Sequence, residues 1–265
     1  MNKKLSIVLW TVLCILLICC IGYVSYTYIK ANTQEVIHPE VTFEIENYGT
    51  VKMELYPEYA PNTVANFIKL VQEGYYNGKV IYGKDGICLY VGRTSDGTVE
   101  NPTISIIDKS IEAGSDADYE YEIAGEFVAN GFEQNTLRHE KGVVSLIRSD
   151  YTQQVGSLTQ ESYNSGNAQI GIMMEDSRGL NGIYAAFARI TEGLDILEKI
   201  NEELEIEVNE GEEDTSSGIE AFAAKPVITS ATAQTYGVDY GTPTISKAFD
   251  YNSYLYNLLS EQYSE

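Results

Sequence analysis

Few side chains in this sequence could act as nucleophiles, general bases or metal ligands. The 265 residues contain two histidines, His38 and His139, so a Ser-His-Asp arrangement would have to use one of them. Of the four cysteines only Cys88 lies outside the N-terminal apolar run, and we interpret it as a small core side chain. No Cys-x-x-Cys or Cys/His cluster offers a zinc site. The sequence therefore predicts no metal site and no cofactor.

The composition excludes one class of function. The chain has 17 Lys and Arg against 39 Asp and Glu, which gives a formal net charge of −22 at pH 7. Nucleic-acid binding is not expected, because a phosphate backbone repels so acidic a protein. The length fits one large domain or two small ones, and a hydrophobic content of 44% is typical of globular chains.

The N-terminal run predicts attachment to a membrane. Residues 5–29 carry no charge, and about 20 apolar residues suffice to span a bilayer as a helix. Lys3 and Lys4 precede this run and acidic residues follow it, so the positive-inside rule places the N-terminus in the cytoplasm and the domain outside. The alternative is a lipoprotein acylated at Cys19 or Cys20, although the preceding Leu-Leu-Ile lacks the small residue that such signals favour.

Alternating and helical patterns divide the rest of the chain. Residues 41–46 and 51–56 alternate apolar and polar side chains around Asn-Tyr-Gly, which predicts two strands joined by a tight turn. Many short strand-like runs with only two good helical patterns favour an antiparallel barrel or sandwich with packed helices. The predicted organisation is an anchor (1–30), a tether (31–40), one domain (41–241) and a C-terminal tail with helix-like spacing (242–265).

Five segments, in order, resemble the cyclophilin family of peptidyl-prolyl isomerases. They are 49–78 (with Ala-Pro-Asn-Thr-Val-Ala-Asn-Phe and Gly-Tyr-Tyr-Asn-Gly), 125–148 (with Gly-Glu-Phe, Arg-His and Gly-Val-Val-Ser-Leu-Ile-Arg), 164–172 (Asn-Ser-Gly-Asn-Ala-Gln-Ile-Gly-Ile), 180–195 (beginning Leu-Asn-Gly-Ile-Tyr) and 235–241 (Thr-Tyr-Gly-Val-Asp-Tyr-Gly). The resemblance implies an all-β dominated fold, a closed eight-stranded antiparallel β-barrel capped by two α-helices at about 62–73 and 193–203. With the anchor, one N-terminal transmembrane helix precedes this barrel.

The resemblance also implies a reaction, the cis–trans isomerisation of X-Pro bonds in exported proteins. Rotation about such a bond crosses a barrier of roughly 18–20 kcal/mol, because amide resonance is lost. The catalyst needs an apolar pocket for the proline ring and a donor aimed at the prolyl nitrogen, whose lone pair is available only in the twisted state. The implied partners are proline-containing segments, with no metal or cofactor.

Several residues that perform this chemistry in the family are altered here. The family's donor is an Arg in a Phe-His-Arg-Val-Ile strand, and Gly83 occupies its position. Lys84 is the nearest candidate donor, with Arg148 and Arg93 as the others. The candidate substrate-binding residues are Tyr82, Leu89, Tyr90, Gln169, Gly171, Leu180 and Tyr184. A polar segment, 151–163, is longer than the family's loop at this place and is expected beside the groove.

Two functions from different classes therefore remain open. One is a peptidyl-prolyl cis-trans isomerase, weakly active because the family's Arg is absent. The alternative is a catalytically inactive cyclophilin-like module that binds peptides or proteins at the cell surface. A third hypothesis is a structural tether whose groove has lost its role.

Overall fold

A computed structural model describes residues 3–32, 36–207 and 218–262. The chain separates into two compact units, residues 1–37 and 38–265. The first unit is helix α1 (Lys3–Asn32), on which Cys19 and Cys20 are exposed. Residues 33–35 of the predicted tether, residues 208–217 of the predicted domain and residues 263–265 of the predicted tail lie outside the described residues.

The predicted transmembrane helix over residues 5–29 coincides with α1. Within the part of the chain that the structure describes, however, no helix is both long enough and apolar enough to cross a membrane. The predicted membrane span is therefore not confirmed.

The second unit is dominated by antiparallel strands. Its strands are β1 (Glu40–Ile45), β2 (Gly49–Leu55), β3 (Val80–Lys84), β4 (Cys88–Arg93), β5 (Tyr121–Glu122), β6 (Val143–Leu146), β7 (Ile170–Met173), β8 (Ala185–Glu192), β9 (Glu220–Ala221), β10 (Ile228–Gln234) and β11 (Ser246–Lys247). Its helices are α2 (Pro61–Gln72), α3 (Ile104–Ile107), α4 (Thr159–Tyr163), α5 (Leu194–Glu203) and α6 (Tyr251–Gln262). Nine strands form one sheet in the order β10-β1-β2-β8-β6-β7-β4-β3-β9, and β5 pairs separately with β11.

The large sheet curls until β3 meets the start of β10. Val80 forms a single bridge with Val227, and Ile81 N donates to Pro226 O over 2.9 Å. Pro226 has no backbone N–H with which to extend this pairing into a ladder. The prediction of a closed eight-stranded barrel is therefore not confirmed, because the sheet has nine strands and β3, the strand next to its edge, meets the start of β10 through one bridge and a few backbone hydrogen bonds.

The predicted first hairpin is confirmed. Asn47 adopts a left-handed conformation with φ of 63°, and the turn pairs β1 with β2 in a regular antiparallel register. Alternate side chains of both strands enter the core, as a strand with one solvent face requires. These buried residues are Val41, Phe43, Ile45, Val51, Met53 and Leu55.

Both predicted helices are confirmed within one residue at each end, as α2 and α5. Helix α2 inserts Phe67 into the core, where its ring makes edge contacts with Tyr76 and Phe187 at centroid distances of 5.2 and 5.1 Å. A distant carboxylate caps its start. Glu126 accepts hydrogen bonds from Asn62 N (2.9 Å) and Thr63 N (2.7 Å), and so satisfies donors that the first helical turn leaves unpaired.

The tail packs against the same unit. Asn62 exchanges two hydrogen bonds with Thr244, of 2.7 and 2.9 Å, and β11 then pairs with β5. Asp250 accepts from Ser253 N over 2.9 Å at the start of α6. The tail therefore reaches the side of the sheet that carries the candidate site.

Candidate functional site

One groove, a cavity of about 660 Å³, brings most of the predicted site residues together. It is bounded by the β3–β4 hairpin, by β6 and β7, by the segment around Leu180 and by the tail. The predicted residues that line it are Tyr82, Tyr90, Arg93, Arg148, Gln169, Gly171, Leu180 and Tyr184. The longer segment 151–163 also reaches the groove, through Tyr151, as expected.

Two predicted site residues lie elsewhere. Leu89 is fully buried in the main core, because alternation along β4 turns it away from its neighbours Cys88 and Tyr90. Lys84 donates from Nζ to Asn201 O over 2.5 Å, toward α5. Register shifts in β3 between Ile81 and Gly83 break the alternation that would have placed Lys84 beside Tyr82. The structure therefore places the predicted donor Lys84 and the predicted substrate contact Leu89 outside the groove.

The position of the family's Arg is closed to any side chain. A Cβ built on Gly83 would lie 2.5 Å from Glu220 O and 3.0 Å from Ile219 Cγ2. The nearer atom belongs to the backbone of β9, which pairs with β3 at this point. Glycine is therefore required here by the close approach of two strands.

Asp85 organises the turn between β3 and β4. Its Oδ1 accepts from Ile87 N (2.7 Å) and Cys88 N (2.6 Å), and its Oδ2 accepts from the hydroxyl of Tyr90 (2.7 Å). Burial, and then the bond to Asp85, raises the pKa of Tyr90 above its usual range. Tyr90 is thus a fixed, neutral aromatic face of the groove.

Arg93, Tyr82 and Gln169 form a connected row. The guanidinium carbon of Arg93 lies 4.2 Å from the centroid of the Tyr82 ring, a cation–π contact. The Tyr82 hydroxyl donates to Gln169 Oε1 over 2.9 Å, and burial raises the pKa of Tyr82 to about 12. Among the described residues, the buried Nε of Arg93 has no hydrogen-bond partner. A guanidinium, that of Arg93, therefore reaches the groove from β4, although Gly83 provides no side chain from β3.

Arg148 is held differently. Its guanidinium carbon lies 4.6 Å from the Tyr184 centroid and 5.1 Å from that of Tyr163. It donates through Nε to Ile183 O (3.2 Å) and through Nη1 to Ser149 O (3.3 Å). Through these bonds Arg148 links the backbone at Ile183 to the backbone at Ser149 along the groove.

The floor of the groove is apolar. A Cβ on Gly171 would lie 2.9 Å from Ile147 Cδ1 and 3.7 Å from Cys88 Sγ, so these two side chains occupy the space that a larger residue 171 would need. Cys88 is 5% exposed, and burial, with a smaller effect of Asp85, raises the pKa of its thiol to about 12. The interpretation of Cys88 as an apolar packing residue is confirmed. The floor residues are Ile87, Cys88, Ile147, Met173 and Leu180.

His139 stands between Ser145 and Asn181, an arrangement that resembles a nucleophilic triad. Nδ1 lies 3.1 Å from Asn181 Oδ1, and Nε2 lies 3.1 Å from Ser145 Oγ. Burial lowers the pKa of His139, so the neutral ring donates to the amide oxygen and accepts from the serine hydroxyl. The bond to Asn181 favours the charged ring less than burial disfavours it, so His139 stays neutral and this buried set orders the loop before β6.

The tail and β5 contribute residues to the groove that were not predicted from the sequence. Glu122, Ala248 and Phe249 line the groove, and Phe249 packs on Tyr151 at a centroid distance of 5.4 Å. Their position depends on the pairing of β5 with β11, two short strands far apart in sequence. The only local signal was the aromatic, helix-like spacing of the tail.

Comparisons with known proteins identify the family. The family model described as "Cyclophilin type peptidyl-prolyl cis-trans isomerase/CLD" matches residues 40–228. A "Probable peptidyl-prolyl cis-trans isomerase" of Brucella suis is 29% identical over 194 residues, 70% of this chain and 84% of the relative. "Peptidyl-prolyl cis-trans isomerase B" of Bacillus subtilis is 27% identical over 159 residues, 60% and 88% of the two chains. A cyclophilin structure from Cryptosporidium parvum, 16% identical, has a TM-score of 0.49 over 75% of this chain and 98% of its own.

The chain belongs to the cyclophilin-type peptidyl-prolyl cis-trans isomerase family, because the family model covers well over half of it. The prediction of an enzyme of this class is confirmed at the level of the family.

Proposed function

We propose that this chain isomerises X-Pro bonds in the groove, with Arg93 as the hydrogen-bond donor, and that it does so more slowly than relatives with an Arg in the β3 position. The observation that carries the proposal is the Arg93 guanidinium, which lies over Tyr82 and lines the groove beside an apolar floor.

The groove contains the two elements that the reaction needs. The apolar floor, with Ile147 and Leu180, suits a proline ring, and Arg93 supplies N–H groups at the edge. As the X-Pro bond twists, the prolyl nitrogen regains its lone pair and can accept a hydrogen bond that it cannot accept in the planar state. The donor therefore stabilises the twisted state selectively. Gln169, fixed by Tyr82, presents an amide to the substrate backbone.

The same geometry supports the low rate that we propose. The guanidinium carbon lies 4.2 Å from the Tyr82 centroid and Arg93 comes from a different strand, so the guanidinium has to give up part of this contact to reach the prolyl nitrogen. Ile147 and Cys88 also fill space over Gly171 that a proline pocket would use. A binding module without turnover remains the second candidate function, favoured by this filled floor and by the closed position at Gly83.

The experiment is the cis-to-trans relaxation of a short X-Pro peptide with the full chain, purified in mild detergent. We expect acceleration above the uncatalysed rate, and an unchanged rate for the matched control Lys84→Ala, whose side chain lies outside the groove. Peptide binding without acceleration of the relaxation would favour the binding module over the enzyme. The absence of both acceleration and peptide binding would rule out both candidate functions.

We further propose that the chain acts on exported proteins outside the cytoplasm, held at the membrane by its N-terminal segment. The uncharged run 5–29 after Lys3 and Lys4 supports this location. External protease should digest residues 36–262 in intact wall-free cells, while a cytoplasmic marker survives. Protection of the domain would contradict the proposal. Membrane release of the Cys19→Ser/Cys20→Ser variant would identify acylation as the means of attachment.

A further inference from the structure

The C-terminal tail extends the groove beyond the part of the chain that the family model matches, which ends at residue 228. The pairing of β11 with β5 places the tail beside the groove. After this pairing, Ala248 N donates to Glu120 O (2.9 Å) and Phe249 N donates to Glu122 Oε2 (3.1 Å). Ala248 and Phe249 consequently line the same cavity as Arg93 and Gln169.

Aromatic packing holds the tail in this place. Tyr151, from the segment that is longer than the family's loop, stacks on Tyr251 with ring centroids 4.9 Å apart and planes 14° apart. Phe249 meets the Tyr151 ring edge-on at 5.4 Å and Tyr254 at 5.6 Å. The loop of residues 151–163 and the tail therefore support each other at one end of the groove.

Glu122 is the unusual group at this end. Its side chain lines the groove, yet the residue is only 7% exposed, and Phe249 N holds Oε2. Burial, and then the nearby Glu120, raises the pKa of Glu122 to about 7. A buried carboxylate has lost its hydrating water and is stabilised by a cation that pairs with it. The faces of aromatic rings also attract cations. Lys247, the basic residue of β11, lies instead over the Tyr119 ring at 5.9 Å.

We propose that Glu122 and Phe249 form a specificity subsite of the substrate groove, which binds a lysine or arginine side chain close to the substrate's proline. This inference rests on the proposed function, since it assigns a substrate preference to the same groove. The tail supplies the apolar face against the stem of the basic side chain, and the carboxylate pairs with its charge. Substrates are thereby expected to be basic near proline, which also complements the net charge of −22.

The test uses a set of short X-Pro peptides that carry lysine, or its uncharged analogue norleucine, at each of the three positions on either side of the X-Pro pair. The kcat/KM of the full chain is measured for each peptide. At one position we expect the lysine peptide to exceed the norleucine peptide about tenfold. Glu122→Gln, which keeps an acceptor for Phe249 N, should abolish this preference, so that the lysine and norleucine peptides of that position react at equal rates.

Phe249→Ala should reduce the preference severalfold, and Tyr256→Ala, a matched aromatic change on the exposed side of α6, should leave it intact. Equal rates for lysine and norleucine peptides at every position would overturn the subsite and leave the isomerase standing. If no peptide is isomerised, the proposed function fails, and the affinities of the same peptides decide the subsite. A lysine preference lost in Glu122→Gln would then support it, and equal affinities would overturn it.

Discussion

The two sides of the groove differ in how far they follow the family. The side formed by β6, β7 and residue 180 keeps Arg148, Gln169 and Leu180 in the positions that the resemblance implies. The other side is formed by the β3–β4 hairpin, the loop around Tyr151 and the tail, which lies beyond residue 228, where the match to the family model ends. Here Gly83 is sealed by β9, Arg93 enters from β4, and Phe249 adds a surface from far along the sequence.

The difference shows that backbone geometry and groove chemistry are under separate constraints. On the first side, Gln169 and Arg148 hold the backbone and neighbouring side chains together, so replacing them would disturb the fold itself. On the second side, Asp85 holds the hairpin by accepting from the backbone at Ile87 and Cys88, and only its bond to Tyr90 involves a side chain of the groove. The two backbone bonds hold this turn whichever other side chains of the hairpin face the groove.

The largest expected effect is at Gly83, where the backbone of β9 leaves no room for a side chain on β3. Gly83→Ala forces a Cβ against the backbone oxygen of Glu220, which cannot move without separating β3 from β9. We expect a loss of about 3 kcal/mol in the free energy of unfolding. Gly83→Arg should lose at least as much and gain no activity. Chemical denaturation of the full chain measures the first effect.

Gly86→Ala is the matched control, because a Cβ there meets nothing within 4 Å in the same hairpin. It should change the free energy of unfolding by less than about 1 kcal/mol. A stable, highly active Gly83→Arg variant would show that the β3 position is open after all.

The second-largest effect concerns Glu122, at the end of the groove that the tail forms. Burial raises the pKa of this carboxyl from 4.5 to about 7. Because the folded state keeps a proton that the unfolded state releases in this interval, the free energy of unfolding should fall as pH rises from about 4.5 to 7. Relative to Glu122→Gln, the wild type should lose about 2 kcal/mol between pH 5 and pH 8.

Glu120, which directly precedes β5, and Tyr151 also face Glu122, and both are present in the two proteins. So is His139, whose lowered pKa makes the free energy of unfolding rise with pH. Their contributions cancel in the difference. Parallel stability curves for the two proteins would contradict a buried, protonated Glu122.

The smallest effect concerns the apolar floor, on the side formed by β6 and β7. Gly171→Phe alone should destabilise the chain, because its Cβ meets Ile147 Cδ1 at 2.9 Å. Combined with Ile147→Ala, the phenylalanine should fit and give a proline ring a larger apolar surface. A double-mutant cycle should give a favourable coupling of about 1 kcal/mol in unfolding, with a severalfold rise in kcat/KM for the double variant. Additive changes would show that the two side chains do not share this space.

Much of the fold followed from local patterns, and much of the site did not. Alternation in 41–46 and 51–56, with Asn47 at the turn, was enough for the first hairpin, and helical spacing was enough for α2 and α5. The direction of Lys84 depended on register shifts inside β3, which no period-two pattern reveals. The contribution of Phe249 depended on a two-residue pairing between β5 and β11, too short to leave a signal in either segment.

The central claim is that the catalytic donor lies on β4. The most direct test is NMR exchange spectroscopy of an X-Pro peptide at equilibrium with the full chain, at equal saturation of wild type, Arg93→Ala and Arg93→Lys. We predict that Arg93→Ala keeps peptide binding but lowers the catalysed exchange rate at least tenfold, with Arg93→Lys between the two. Exchange in Arg93→Ala equal to that of the wild type would contradict the claim and place the donor elsewhere in the groove.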